Sequence, residues 1–192
     1  MARSLEFNED TAIQKAMEVF WRKGYAGTSL RDLTDAMQIN VSSLYNTIGD
    51  KHVLFVKCIK NYTEARMEEA KKYAENAESP LVALIDIING AATVIISGDH
   101  SCLAIKTTFE VAADDIGVQE ILKADSDFTF ELISSLIKAA IEKGQIRKDE
   151  DPEILADYLI NAFTGWYQSY ILQRDPVRIK KMANYLITQI KK

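Results

Sequence analysis

The chain has 192 residues, 47% hydrophobic and 27% charged, enough to bury one large core or two small ones. A formal charge of −5 argues against a broadly basic, nucleic-acid-coating protein, and 3 prolines with 8 glycines are too few for an all-β chain with frequent turns. No apolar run reaches the roughly 18 residues of a membrane span, and the N-terminal MARSLEFNED lacks the apolar core of a signal peptide, so a cytoplasmic protein is expected.

Asn8 is a predicted N-cap, with Glu9 and Asp10 in the first turn, where carboxylates suit the helix dipole. Ala12, Ile13, Ala16, Met17, Val19 and Phe20 follow at helical spacing, and Gly24 closes this helix. Thr28 is the expected cap of a short second helix, with Leu30, Leu33 and Met37 on its inner side. Asn40 caps a third short helix running roughly to Thr47, with Leu44 and Ile48 inward, and Gly49 ends it. Asp50 then caps a long helix with Phe55, Cys58, Ile59 and Tyr62 on one stripe, continuing in more polar form through ARMEEAKKYAENA.

Ser79 and Pro80 open the next helix as cap and first-turn proline. Residues 81–96 are its apolar length and are expected to be central. Gly98, Asp99 and His100 break it, residues 101–113 follow as a helix, and Gly117 intervenes. From Val118 a clean stripe runs through Ile121, Leu122, Phe128, Leu132, Ile133, Leu136, Ile137, Ala140 and Ile141, until Gly144 stops it. Asp151, Pro152 and Glu153 start a helix that is apolar on two faces. One carries Leu155, Tyr158, Leu159, Ala162, Phe163, Trp166 and Tyr170, the other Ile160, Tyr167 and Ile171. Two apolar faces call for two partners, the second a candidate contact outside the subunit. Ile179, Met182, Ala183, Leu186, Ile187 and Ile190 form the last stripe. The expected fold class is therefore all-α, with about nine helices and no convincing strand.

Residues 28–51 have the parts of a helix-turn-helix, in which the first helix braces on the DNA backbone and the second enters the major groove. Thr28 and Ser29 put hydroxyls and N–H groups at a helix N-terminus, a natural phosphate site. Val41, Ser42, Ser43 and Asn46 fall on the outer side of the third helix, where Asn pairs with adenine, Ser with several bases and Val with a thymine methyl. Tyr45 and Lys51 suit phosphates. Residues 1–51 carry six basic and seven acidic side chains, so binding must rest on where the groups point rather than on net charge.

KGYAGTSLRDLTDAM followed by SLYNTIGDKHVLF resembles the N-terminal domain of the TetR family of bacterial regulators. The resemblance covers about residues 6–66, with the motif at about 29–48. It implies an all-helical homodimer that binds palindromic double-stranded operator DNA, usually as a repressor relieved by a small-molecule inducer. It places Thr28, Tyr45 and Lys51 at the family's phosphate contacts and residues 40–46, beginning with Asn40, at its recognition helix. Two positions depart from the pattern: Gln38 stands where the turn usually has Gly, and Ile48 where an aromatic is expected. A positive φ at Gln38 would strain the turn.

Residues 67–192 are the expected ligand-binding and dimerisation domain, and GQIRKDEDPEILADYLINAFTGW resembles the family's entry to its dimerising helices. The implied interface is residues 151–172 with 176–190. The helix beginning at Asp50 joins the two parts, so a tilt of it would move the reading unit. Tyr62, Phe109, Phe128, Trp166 and Tyr170 are pocket candidates, each also readable as core. Cys102 has two readings as well, a plain structural thiol or a sensing thiol at a helix start.

Cys58 and Cys102 have neither disulfide-framework nor metal-ligand spacing, and His100 beside Cys102 lacks further ligands. No nucleotide-binding, nucleophile-elbow or zinc-protease motif occurs, and neither His52 nor His100 belongs to a di-iron pattern, so neither an enzyme nor a metal cofactor is expected. The alternative to a regulator is a helical ligand-binding or interaction module whose DNA binding has decayed.

Overall fold

A computed structural model describes residues 8–97 and 102–191. Among them there are nine α-helices and no strand: α1 Glu9–Lys23, α2 Leu30–Met37, α3 Val41–Thr47, α4 Lys51–Asn76, α5 Pro80–Ile96, α6 Leu103–Glu110, α7 Ile116–Glu142, α8 Pro152–Gln173 and α9 Pro176–Ile190. No helix among the described residues is long and apolar enough to cross a membrane.

Cap chemistry sets most of the boundaries. Asn8 Oδ1 accepts the Thr11 N–H at 2.9 Å, Asn40 Oδ1 the Ser43 N–H at 2.7 Å and Asp50 Oδ1 the Val53 N–H at 2.9 Å. Ser79 and Asp151 cap α5 and α8, each followed by proline in the first turn. At the far ends, Gly24 closes α1 at φ 76° and Gly144 follows α7 at φ 68°.

Three expected boundaries are corrected. The cap of α2 is Ser29, not Thr28, because the Thr28 hydroxyl turns inward and donates to the Gly24 carbonyl at 2.6 Å. The helix expected over 101–113, whose first residue lies outside the described ones, is the shorter α6, since the Ala112 N–H leaves the helical pattern and shares the Thr107 carbonyl with the Val111 N–H, at 3.2 and 2.9 Å. Gly117 does not separate helices: Asp115 Oδ1 accepts the Val118 N–H at 3.0 Å and starts α7 ahead of it. The break expected at Gly98, Asp99 and His100 lies outside the described residues.

The chain forms two compact units. The first is Met1–Thr63 together with Leu103–Leu122. Phe20, Leu33, Leu44, Leu54, Phe55, Cys58 and Ile59 are buried in its centre, and Phe20 meets Phe55 edge-on at 5.0 Å. Each of the fully buried Leu, Ile and Phe side chains contributes about 1.5–3 kcal/mol relative to exposure. Burial pushes the Cys58 thiol up to about 12, so it stays protonated and inert, its sulfur 3.6 Å from the Ile13 carbonyl.

The second unit is Glu64–Cys102 with Lys123–Lys192. Here α5 packs on both α8 and α9, and Leu84, Ile88 and Ile95 of α5, Ala156 and Leu159 of α8, and Ile179 and Ala183 of α9 are all buried. The Arg66 guanidinium reaches Asp125 at 2.5 Å and the Thr129 hydroxyl at 2.9 Å, so the buried Asp125 carboxylate is charge-paired.

Candidate nucleic-acid interface

The first unit presents α3 to solvent. Leu44 and the following Ile48 are its buried anchors, whereas Val41, Ser42, Tyr45, Asn46 and Thr47 are exposed and Ser43 is half-buried. Seven residues make two turns, and the Asn40 cap lets the first one form without tertiary support on its outer side. Asn40 is exposed, but its side-chain oxygen is committed to the cap. Thr47 is not among the expected contacts, although its place beside Asn46 on a helix with one buried face would have suggested it.

Helix α2 precedes α3 as a brace. The Ser29 hydroxyl and the Asp32 carboxylate form a reciprocal capping box: Ser29 Oγ accepts the Asp32 N–H at 3.1 Å, and Asp32 Oδ2 accepts the Ser29 N–H at 2.9 Å. The Lys23 ammonium, donating to Asp32 at 2.5 Å, and then the Ser29 N–H hold the Asp32 carboxyl well below the usual carboxylate range. Ser29 is exposed and Thr28 is 2% exposed, but the Ser29 hydroxyl donates to Asp32 Oδ2 at 2.8 Å, so both hydroxyl protons at this helix start are spent within the unit. Between α2 and α3, Gln38 sits at φ 59°, ψ 40°, in the left-handed region.

Lys51 opens α4. Its ammonium lies 4.4 Å from the centroid of the Tyr25 ring, which packs on Phe55 at 4.7 Å. Burial, with the Asp50 and Asp115 carboxylates near, holds the Tyr25 phenol above its ordinary value.

Sequence reasoning missed what braces this surface. Within the same unit, Lys106 donates to the Trp21 carbonyl at 2.8 Å, taking up an open carbonyl in the last turn of α1. Glu110 accepts the Ala26 N–H at 2.9 Å and lies so close to Gly24 that a Cβ there would meet its carboxylate at 2.6 Å. His52 Nε2 and Asp115 Oδ2 are 2.5 Å apart. The Val118 N–H, then His52, keep the Asp115 carboxyl below its ordinary value. None of these partners shares a periodicity or a motif, so no sequence signal could have paired them.

The six ligand-pocket candidates are divided between the two units. Tyr62 meets Trp21 edge-on at 5.2 Å in the first unit, and Phe109 on α6 is 74% exposed. In the second unit Phe128 lies under the Lys71 ammonium at 5.4 Å, and the Tyr170 hydroxyl donates to the Ile96 carbonyl at 3.1 Å. Trp166 is buried and borders a groove of about 490 Å³ between α8 and α9, shared with Tyr158, Met182 and Tyr185. Cys102 is half-buried just before α6.

A short capped brace, a tight turn and a second short helix anchored on one side define a helix-turn-helix protein. The family profile described as bacterial regulatory proteins of the tetR family matches residues 12–58, and that of the tetracyclin repressor-like C-terminal domain matches residues 81–186. The chain belongs to the TetR family. It is 28% identical to the uncharacterized HTH-type transcriptional regulator YezE of Bacillus subtilis (strain 168), over 83% of this chain and 84% of that one. It is also 28% identical to the HTH-type transcriptional repressor ComR of Escherichia coli (strain K12), over 80% and 74%. Among solved structures, a cysteine mutant of the TetR family transcriptional regulator CifR, complexed with 26bp double-strand operator DNA, superposes with a TM-score of 0.83 at 25% identity, covering 97% of this chain and 98% of that one.

Proposed function

We propose that the chain is a transcriptional repressor that binds an inverted-repeat operator as a homodimer in the cytoplasm and lets go when a small molecule occupies its second unit. The observation that carries this reading is α3: only Leu44 anchors it from within, and the side chains around Val41, Tyr45 and Asn46 face outward from a braced support. Residues 6–66 would read DNA and 67–192 would hold ligand and partner. Similarity to ComR, a repressor, and to CifR, seen on operator DNA, supports the same reading.

In this reading Tyr45 and Lys51 hold phosphates, while Val41, Ser42 and Asn46 meet base edges. Two such units on a symmetric dimer would engage half-sites about 34–36 Å apart, or a longer spacing set by the dimer. The dimer face would be α8 with α9, whose Ile154, Tyr158, Val177 and Tyr185 are exposed. Fluorescence anisotropy on the DNA upstream of its own gene tests the assignment. Lys51→Ala should lower affinity and reduce the slope of log affinity against log salt by about one. Tyr45→Ala should weaken binding on all sequences. Undiminished binding by both variants would remove the assigned face.

A further inference from the structure

The Lys51 ammonium sits at an unusual place for a cation. It is on the first residue of α4, where the helix dipole disfavours positive charge. It also has no carboxylate partner among the described residues, although Lys23 and Lys57 of the same unit pair with Asp32 and Glu9. The neighbouring Asp50 spends its carboxylate on the Val53 N–H, and Asp115 spends its own on His52 and the Val118 N–H. What holds Lys51 is the ring of Tyr25, 4.4 Å from the ammonium.

We infer that Tyr25 is a positioning residue for DNA binding: its aromatic face holds the Lys51 ammonium, still fully charged, at the start of α4 for a backbone phosphate. This rests on the assignment of Lys51 as a phosphate contact. A carboxylate could restrain the ammonium equally well, but it would cancel the charge and repel the incoming phosphate. A ring quadrupole attracts the cation without neutralising it. The long lysine stem then loses less conformational freedom on binding, and its charge adds to the positive end of the helix. The platform itself is rigid. Tyr25 packs on Phe55 at 4.7 Å and stacks on Phe20 at 6.2 Å. The backbone around it is held by the Ala26 N–H donating to Glu110 and by the Thr28 hydroxyl donating to the Gly24 carbonyl.

The test uses the full chain and operator DNA at fixed salt. Replacing Tyr25 by phenylalanine and then by phenylalanines with increasing ring fluorination keeps the shape and drains the quadrupole. Affinity should hold for Tyr25→Phe and fall stepwise with fluorination, to about fivefold weaker at the end of the series. In a Lys51→Ala background the same series should be flat, because the ring then has no cation to hold. A flat series in the wild-type background overturns the inference, and so does an equal decline in the Lys51→Ala background. If the unmodified chain binds no operator, or Lys51→Ala costs nothing, the repressor reading or its phosphate assignment fails instead.

Discussion

At the scale of the residue, Gln38 is where local chemistry and the required backbone disagree. Its φ of 59° is left-handed, and the turn into the recognition helix needs that geometry. A side chain there costs about 1–2 kcal/mol, of which glycine would return part, its greater unfolded-state freedom offsetting about 0.5–1 kcal/mol. Gln38→Gly should therefore stabilise the fold by about 0.5–1 kcal/mol. A urea titration would show a higher midpoint at unchanged slope, and a lower midpoint would mean that the glutamine side chain contributes something not visible in its contacts. The conflict was legible in the sequence, because a turn position that resembles a glycine site held Gln. The burial of Thr28 was not. Two adjacent hydroxyl residues are equivalent cap candidates on paper, and only the approach of the Gly24 carbonyl decides between them.

At the scale of the element, α2 depends on its capping box more than on its length of eight residues. Ser29→Ala should cost about 1 kcal/mol. Acid should act on the same box. The folded pKa of Asp32 is depressed by Lys23 and the Ser29 N–H, so its contribution is complete above the ordinary carboxylate value of about 3.9 and is lost as pH falls below it. The Ser29 amide resonance followed during an acid titration should therefore move with a midpoint below that ordinary value. A midpoint at the ordinary value would contradict the arrangement. Elements are legible in the sequence wherever a cap, a proline or a glycine marks them, since those signals act within a turn of the chain. The service of α6 to the reading unit was unreadable. Lys106 and Glu110 bind backbone groups of residues 21 and 26, and backbone groups leave no trace in a side-chain pattern. Phe109 shows a related limit: an aromatic on a helix does not say whether its side is covered, and here it is 74% exposed.

At the scale of the whole molecule, the two-faced character of α8 was visible in its sequence, and the structure leaves part of that apolar surface uncovered. Ile154 is 67% exposed and Tyr185 on α9 66%. Exposed apolar groups gathered on adjacent helices mark an association surface. Tyr185→Glu combined with Tyr158→Glu should raise the dimer dissociation constant by at least about tenfold, since burying an unpaired charge costs several kcal/mol. Sedimentation at low concentration should show dimer for the unaltered chain and monomer for the double variant. Operator affinity should fall in parallel, because two linked half-sites bind far more tightly than one. A variant that remains dimeric would move the interface elsewhere.

The first unit is drawn from two separated stretches of chain, Met1–Thr63 and Leu103–Leu122. A reading head of this kind is not a cassette. A chimera cut at the end of the helix-turn-helix would bring in a foreign α6, and with it would go the Glu110 carboxylate against Gly24, the Lys106 ammonium on α1 and the Asp115 partner of His52. Exchange of specificities between relatives is then workable only when both stretches travel together. The second unit can drift in sequence while the strip Leu103–Leu122 stays bound to the needs of the head.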